Sequence, residues 1–283
     1  MLIVCPTPIG NLDDATPRQR DALAGADVIA CEDTRRTGKL LELLGISRED
    51  GRPRLVSYHE HNERERADEL IAELAAGRTV VLASDAGTPT ISDPGHLLVR
   101  RAAEAGHEVV ALPGPVAALV ALSASGLPTD RFFFEGFLPS KPKGRQERLE
   151  QLAHLATTVA LYESPYRVVE LLEDVEEVFG PEHRVCVARE LTKMHEEYLR
   201  GAVQSVRAEL AGREIHGEFV VLLAPFAGDD EEDLDARIDA KIAELLDEGM
   251  RPRGIKEVVS ELFDVRRSEL YDRIEEVRQR VRE

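Results

Sequence analysis

Residues 79–115 read TVVLASDAGTPTISDPGHLLVRRAAEAGHEVVALPGP, and this stretch decides the fold. Two short apolar runs, Thr79–Ala83 and Glu108–Leu112, have the length and β-branched content of buried strands. Between them, His96–Ala105 has the spacing of an amphipathic helix and is followed by Gly106, a residue typical of helix ends. A strand, a helix and a second strand at this spacing form one unit of a parallel sheet. The stretch therefore predicts an α/β fold.

The same alternation continues on both sides of this stretch. Upstream, strands are predicted at Leu2–Cys5, Asp27–Cys31 and Arg54–Ser57, and helices at Pro17–Gly25, Thr34–Leu44 and Glu63–Ala76. After a break at Gly126-Leu127-Pro128, strands are predicted at Thr157–Tyr162, Arg184–Ala188 and Glu218–Ala224, and helices near Gln146–His154, Tyr166–Phe179 and Val203–Ala211.

Three domains follow from this pattern. We predict a parallel-sheet α/β domain over residues 1–125 and a second α/β domain with a mixed sheet over residues 126–227. Residues 228–283 begin with an acidic linker and continue with purely helical periodicity. They are predicted to form a small all-helical tail.

The composition is that of a soluble globular protein. Hydrophobic residues make up 43% of the 283 residues and charged residues 32%, and the longest apolar run is broken by prolines. Cys5, Cys31 and Cys186 lie far apart without CxxC spacing, which argues against a disulfide framework or a zinc knuckle. The N-terminus runs directly into a strand-like segment and has no leader pattern. We therefore expect a cytoplasmic protein.

The charge balance gives two opposite indications about a polyanionic partner. A net charge of −18 argues against one when it is taken alone. Basic residues nevertheless cluster locally, at Arg35, Arg36 and Lys39 and again at Lys141, Lys143, Arg145 and Arg148. A positive groove on an acidic protein can hold RNA, so the overall charge does not decide the partner.

Three loops that follow predicted strands consist of small and rigid residues. They are Pro6–Leu12, Ser84–Gly95 and Pro113–Val116. Ligands of open parallel sheets bind beyond the carboxyl ends of the strands, where these loops meet. None of the loops matches GxGxxG or GxxxxGK[ST], so a dinucleotide or ATP site has no support. The loops predict a pocket that lacks a phosphate cradle.

Nine motifs resemble the tetrapyrrole (corrin/porphyrin) methylase superfamily and, within it, the bacterial 16S rRNA cytidine 2′-O-ribose methyltransferases. They are PTPIGNL (6–12), CEDTRRTG (31–38), SYHEHNE (57–63), SDAGTPTISDPG (84–95), LPGPVAAL (112–119), GLPTDRFFFEGFLP (126–139), YESPYR (162–167), ARELTK (188–193) and HGEFVVLL (216–223). The helical tail resembles the helix-turn-helix-like C-terminal domain of these enzymes. The resemblance implies a homodimer that methylates 16S rRNA within the small ribosomal subunit, at a cytidine of the decoding region.

The resemblance also implies that S-adenosylmethionine binds in a folded shape between the two α/β domains. Carried over motif by motif, the cofactor-binding positions are Pro8, Gly10, Asp85, Ala86, Gly87, Thr88, Pro113, Gly114, Pro115, Val116, Tyr162, Glu163, Ser164, Gly217 and Glu218. Asp85 is expected to bind the polar end of the cofactor. The alternative for Asp85 is a structural aspartate that braces its loop or caps a helix.

The implied reaction transfers a methyl group from a sulfonium to a ribose hydroxyl, which is a poor nucleophile until it loses its proton. Glu32 and Asp33 are the candidate bases, with His59 and His61 as alternatives, and Arg35 completes the predicted catalytic group. Salt bridges between the two carboxylates and the neighbouring arginines, made for structure alone, explain the same residues equally well.

The resemblance places further residues in a substrate groove. The predicted RNA contacts are Arg36, Lys39, His59, His61, Asn62, Lys141, Lys143, Arg145, Arg189 and Lys193. The His59-Glu60-His61 triplet has no third ligand at a convincing spacing, so no metal site is predicted. The Phe132-Phe133-Phe134 run is expected in an inter-domain core and not in a base-stacking platform.

Two alternative functions are weighed against rRNA methylation. The first is a methylase that acts on a porphyrin or corrin precursor, which the basic loop at Lys141–Arg148 and the helical tail oppose. The second is a ligand-sensing regulator whose tail reads a nucleic acid. The acidity of the tail and the lack of a phosphate cradle oppose that alternative.

Overall fold

The computed structural model describes residues 1–48, 50–226, 230–247, 250–263, 265–266 and 270–280. Two compact units are present, Met1–Pro225 and Phe226–Glu283. The first unit contains two five-stranded sheets and the second contains helices. Residues 228 and 229, which belong to the predicted linker, lie outside the described residues.

The first sheet is parallel throughout. Its strands are β1 Leu2–Val4, β2 Val28–Cys31, β3 Arg54–Ser57, β4 Val80–Ala83 and β5 Val109–Ala111, in the order β3-β2-β4-β1-β5. Helices α1 Pro17–Ala24, α2 Thr34–Leu43, α3 Glu63–Ala75 and α4 His96–Glu104 connect them. The carboxyl ends of all five strands therefore lie along one edge, as the sequence predicted.

Side-chain alternation along the strands gives the first sheet two apolar faces. In β4, Val80 and Leu82 belong to the core that contains Leu70 of α3 and Leu98 of α4. Val81 and Ala83 of the same strand belong to a second core with residues of α1 and α2. Successive strand residues point to opposite faces, so four-residue apolar strands are buried on both sides.

The second sheet is mixed, which confirms the predicted fold class. Its strands are β6 Phe132–Phe137, β7 Thr158–Glu163, β8 Arg184–Arg189, β9 Glu197–Ala202 and β10 Phe219–Leu223, in the order β6-β7-β10-β8-β9. Only β6 and β7 pair in parallel. Helix α5 Ala117–Ser125 contacts β7, β8 and β10, and the other helices of this part are α6 Pro142–Ala153, α7 Val168–Phe179 and α8 Val203–Ala211.

The Phe132–Phe134 run lies in β6, the edge strand of the second sheet. Phe132 and Phe133 are 42% and 37% exposed, whereas Phe134 packs into the core around α5. The expected core position therefore holds for Phe134, whereas Phe132 and Phe133 stay partly exposed. An edge strand has a neighbour on one side only, so an aromatic run there is not buried by the sheet itself.

The described residues of the second unit form three helices, α9 Asp230–Asp247, α10 Pro252–Phe263 and α11 Leu270–Arg280. All three contact one another around a shared aliphatic core that includes Ile242, Val259 and Ile274. The helical periodicity of this segment is thus confirmed. Among the described residues, no helix combines the length and the apolar composition that a bilayer span requires.

Candidate functional site

A cavity of about 470 Å³ lies where the carboxyl edge of the first sheet faces the second sheet. Small-molecule sites commonly occupy about 300–1,000 Å³, so the space suits a cofactor. The predicted cofactor positions that line it are Asp85, Ala86, Gly87, Thr88, Val116, Tyr162, Glu163, Ser164, Gly217 and Glu218. The loops after β1, β2, β4 and β7 and the loop before β10 thus converge on one space.

Backbone and hydroxyl hydrogen bonds lock the loops of the first sheet together. Thr7 and Gly87 exchange two backbone hydrogen bonds, at 2.9 and 3.0 Å. The Thr88 hydroxyl donates to the Pro115 carbonyl at 2.8 Å. Pro8, Gly10 and Pro113–Pro115 do not themselves line the cavity. Pro115 supports the lining from behind, and Pro8 and Gly10 belong to the same bonded loop as Thr7.

Gly114 is the residue at which this loop packing is tightest. A Cβ atom on Gly114 would overlap the Cβ and Cγ atoms of Pro6. We expect Gly114→Ala to lower the free energy of unfolding by about 1–3 kcal/mol, the usual cost of overpacking. Urea denaturation measures the change. Gly212→Ala is the matched control because nothing lies within 4 Å of the added atom, and an equal loss in both variants would contradict the steric account.

The loop after β4 is strained. Thr90 and Ser92 have φ values of 75° and 58°, a region that residues with a side chain rarely adopt. Gly95 has φ 133°, and a Cβ there would lie 2.5 Å from Leu82 Cδ2. Strain of this kind costs free energy and concentrates at functional sites. The strained segment holds Asp93 against the cavity, a site residue that the sequence did not single out.

Five carboxylates line the cavity together with Arg36, and three of them, Glu32, Asp85 and Asp93, follow strands of the first sheet. Burial raises the pKa of Glu32 to about 7, and the charges of Asp93 and Asp85 add to the rise. Burial likewise raises the pKa of Asp93 to about 6, opposed by a hydrogen bond with the Ser84 side chain and assisted by Asp85. Among the described residues, Glu32 Oε1 is buried without a hydrogen-bond partner. Glu32 is thus suited to exchange a proton near neutral pH.

Asp85 braces the loops as well as lining the cavity. Its two oxygens accept one hydrogen bond from the backbone N–H of Asp33 at 3.2 Å and one from Arg36 Nη1 at 3.1 Å. The Arg36 side chain is 72% exposed, so it stands at the cavity mouth. The loop-bracing alternative for Asp85 is therefore realised, and the carboxylate still faces the cavity.

Asp33 and Arg35 form a local structure at the start of α2, and neither residue lines the cavity. Asp33 is the N-cap, and its Oδ1 accepts from the backbone N–H of Arg35 at 2.8 Å. Hydrogen bonds from the Arg35 side chain and backbone lower the pKa of Asp33 to about 2. This geometry favours a structural role for both residues, because a carboxylate held as an ion by a cap is a poor base. Glu32 is the member of the predicted catalytic group that faces the cavity.

The second sheet supplies the opposite wall. The Tyr162 hydroxyl accepts a hydrogen bond from the backbone N–H of Ala118 at 3.3 Å, which joins β7 to the start of α5. Glu163 is 3% exposed and accepts from Arg167 and from the backbone N–H of Ser164, each at 2.7 Å. Its Oε2 is buried without a partner among the described residues. A buried oxygen of this kind needs a donor to offset its desolvation.

Lys193 and Arg189 form ion pairs next to the part of the cavity wall that precedes β10. Lys193 Nζ bridges Glu190 Oε1 at 2.8 Å and Glu218 Oε2 at 3.0 Å. Arg189 pairs with Glu197 at 3.6 Å. Both predicted RNA contacts are thus engaged by carboxylates of the chain itself, which favours a structural role for them.

The predicted RNA contacts near α2 and α3 lie outside the cavity, except for Arg36. Lys39 is exposed and pairs with Glu42 at 3.4 Å. Asn62 fixes the turn after β3: its side chain accepts from the His59 backbone at 2.9 Å and donates to the Ser57 carbonyl at 3.0 Å. His61 is exposed, with its ring 5.9 Å from the ring of His59. Over the described ranges, no cluster of His, Cys, Asp or Glu has an arrangement that suits a metal ion.

Arg145 is not part of a basic surface loop. Helix α6 begins at Pro142, which places Arg145 on its buried side, 2% exposed and ion-paired with Asp174 and, at 3.6 Å, with Glu170. The predicted contact between Arg145 and an RNA phosphate is therefore wrong. Lys141 and Lys143 do stay exposed and line a shallow depression over Pro139–Glu147.

Comparison with known proteins gives consistent matches along the chain. The family model of the Tetrapyrrole (Corrin/Porphyrin) Methylases matches residues 1–207. A protein of Xylella fastidiosa named ribosomal RNA small subunit methyltransferase I is 42% identical over 274 residues, which cover 95% of this chain and 97% of that protein. The protein of the same name from Synechocystis is 47% identical over 224 residues, 79% of this chain and 78% of that protein.

Solved structures share the fold at low identity. The methyltransferase CobJ matches with a TM-score of 0.60 at 24% identity, over 80% of this chain and 94% of that one. Uroporphyrin-III C-methyltransferase from Thermus thermophilus, complexed with S-adenyl homocysteine, matches with a TM-score of 0.54 at 18% identity, over 80% and 98%.

Proposed function

The chain belongs to the Tetrapyrrole (Corrin/Porphyrin) Methylases, and from this premise we propose that it is an S-adenosylmethionine-dependent methyltransferase of 16S rRNA. The proposed product is the 2′-O-methyl ribose of a cytidine in the decoding region. The observation that carries the proposal is the match to rRNA small subunit methyltransferases I along 95% of the chain, which includes the helical unit. The cavity between the sheets is the proposed site of the reaction.

The residues around the cavity suit a sulfonium cofactor. S-adenosylmethionine, when bound, supplies an electrophilic methyl group on a positively charged sulfur. Glu32, Asp85, Asp93, Glu163 and Glu218 present five carboxylates to the cavity, and Arg36 is the only cation among the described residues that line it. Glu32 Oε1 and Glu163 Oε2, which are buried without a partner in the described part of the chain, are acceptors for donors of the ligand. We propose that these walls hold the cofactor, and that Pro8, Gly10 and Pro113–Pro115 support them from behind.

Glu32 is the proposed proton acceptor for the ribose hydroxyl. A base is most useful when its pKa lies near the working pH, and burial raises the pKa of Glu32 to about 7. Fixing the hydroxyl against the methyl group lowers the barrier further, by about 7–11 kcal/mol in the best intramolecular cases. The locked loops of Thr7, Gly87 and Thr88 provide that fixed geometry.

The proposed substrate is RNA within the small ribosomal subunit, and the enzyme is proposed to act as a cytoplasmic homodimer. Among the predicted RNA contacts, the exposed cations are Arg36, Lys39, Lys141 and Lys143, which we propose as phosphate contacts. The relatives from Xylella fastidiosa and Synechocystis are named for the ribosomal small subunit, which supports this choice of substrate. Sedimentation of the native chain tests the homodimer.

Asp93→Asn is expected to shift the pH dependence of methyl transfer to lower pH. The charge of Asp93 raises the pKa of Glu32, so its removal lowers that pKa and leaves more of the base ionised below pH 7. We expect the rate relative to its plateau to rise at about pH 6.5, measured in single turnover, because Asp93, with a pKa of about 6, is mostly ionised there in the native chain. Asp130→Asn, an exposed carboxylate outside the cavity, is the control. Superimposable profiles for Asp93→Asn and the native chain would argue against coupling between the two carboxyls.

One experiment tests the proposed function. Radiolabelled S-adenosylmethionine is offered with unmodified small subunits, with naked 16S rRNA and with a porphyrinogen, and each labelled product is mapped. We expect label in the RNA of small subunits, at a ribose that resists alkaline cleavage. Label in the porphyrinogen alone would support the tetrapyrrole alternative, and cofactor binding without transfer to any RNA would support the regulator.

A further inference from the structure

An exposed aromatic ring stands at the mouth of the cavity. Phe137, the last residue of β6, lines the cavity and is 58% exposed. Its ring contacts the edge of Tyr162, with 5.7 Å between the ring centroids. The carboxylate wall and Phe137 therefore border the same space from opposite sheets.

A β-bulge turns Phe137 toward the cavity. In the pairing of β6 with β7, Phe134 is opposite Ala160 but Gly136 is opposite Leu161, so one residue is inserted between them. The insertion puts Phe134 and Phe137 on one face, and both rings contact Tyr162. Strict alternation would place these two side chains on opposite faces. Bulges next to active sites commonly re-aim a side chain in this way.

The bulge is held in place from a neighbouring helix. The inserted residue, Glu135, accepts two hydrogen bonds from the guanidinium of Arg148 in α6, each at 2.7 Å. Gly136, with φ 76°, supplies the backbone conformation that most residues avoid. The position of Phe137 is thus built into the fold by a bidentate ion pair and a glycine.

Exposed cations lie at the same cavity mouth as the ring or follow it closely in the sequence. Arg36 stands at the same cavity mouth. Lys141 and Lys143 are exposed on the segment that directly follows β6, and the Lys143 side chain is 90% exposed. An aromatic face with cations nearby is the combination that binds an unpaired nucleotide, since the ring stacks on the base and the cations contact phosphates.

We propose that Phe137 stacks on the base of the target nucleotide and thereby positions its ribose in the cavity. This inference rests on the proposed function. The adenine of the methyl donor is the other nucleobase that meets this cavity. The high exposure of Phe137 favours stacking on the RNA base over stacking on adenine. A ring that contacts an enclosed cofactor is expected to be more buried, as Tyr162 is. Sequence-specific RNA enzymes read bases that have left the helical stack, and such a base needs a stacking partner.

The test compares variants of exposed rings on the same strand. Phe137→Ala is expected to raise the KM for the RNA substrate by about 5- to 150-fold, the range for loss of one base–aromatic stack. Phe137→Tyr is expected to restore most of the affinity, whereas Phe137→Leu keeps the apolar volume and is expected not to. Phe132→Ala, exposed but outside the cavity, is the matched control. Thermal unfolding of each variant verifies that it folds.

Calorimetry with S-adenosylmethionine shows whether Phe137 stacks on the RNA base or on the adenine of the cofactor. We expect Phe137→Ala to bind the cofactor within about twofold of the native chain, far less than the loss expected for a broken base stack. A loss of cofactor affinity equal to the loss of RNA affinity would assign the ring to adenine and overturn the proposal. If Phe137→Ala methylated RNA as well as the native chain does, the stacking proposal would be overturned and the proposed function would stand. A native chain that methylates no RNA would overturn the proposed function as well.

Discussion

Glu32→Gln is expected to slow methyl transfer by about 10²–10⁴-fold, the usual contribution of a positioned general base. Glutamine keeps the shape of the side chain but cannot accept the proton. Glu32 faces the cavity, has a buried oxygen without a partner among the described residues, and has a pKa raised by burial to about 7. Single-turnover kinetics with saturating cofactor isolate the chemical step. Because binding of the cofactor involves many other contacts, its affinity should change much less than the rate.

The pH dependence of the methyl-transfer rate is a second test of Glu32 as the base. Only the ionised carboxylate accepts a proton, so the native rate should increase as pH rises through about 7 and then level off. The small remaining rate of Glu32→Gln should lack this step.

Asp33→Asn is the matched control for Glu32→Gln. Asparagine caps a helix as well as aspartate does, so the N-cap of α2 is retained. We expect near-native turnover, since Asp33 does not line the cavity. A large loss in Asp33→Asn together with near-native turnover in Glu32→Gln would reverse the assignment of the base.

Arg145→Ala is expected to lower the free energy of unfolding by about 3–5 kcal/mol, the range for removing one partner of a buried ion pair. Arg145 is 2% exposed and Asp174, its partner, is 6% exposed. The substitution leaves the Asp174 carboxylate buried with a single remaining donor in the described structure, the Gln146 side chain at 3.1 Å. Urea denaturation measures the loss.

Two further variants identify the cause of this loss. Lys143→Ala, in the same helix but 90% exposed, should change stability by no more than about 0.5 kcal/mol. The double variant Arg145→Met with Asp174→Leu removes both charges and should recover much of the lost stability. If Arg145→Ala left the stability unchanged and weakened RNA binding, the result would instead support a phosphate contact for Arg145.

The strongly patterned elements were predictable from the sequence. Arg54–Ser57 and Val203–Ala211 have the same bounds in the structure as in the sequence interpretation. Strand β9 was not predicted because it is an edge strand in which only Leu199 is buried, so its apolar pattern is weak. The burial of Arg145 was missed because α6 was expected to start near Gln146. Pro142 at its first turn is the signal that marks the earlier start.

Parts of the candidate site depend on backbone geometry that residue types do not reveal. Asp93 lines the cavity in a loop where Thr90 and Ser92 adopt positive φ values, which their residue types do not predict. Phe137 reaches the cavity through a bulge, which shifts the alternation by one residue. The loops themselves were predictable, because carboxyl ends of parallel strands meet at one edge.

If the loops of the two sheets enclose the methyl donor, binding of S-adenosylmethionine should slow hydrogen–deuterium exchange in those loops. We predict slower exchange in residues 84–95, 162–166 and 217–220, with no change in the depression at Pro139–Glu147. Unchanged exchange in those three segments at saturating S-adenosylmethionine would contradict the account.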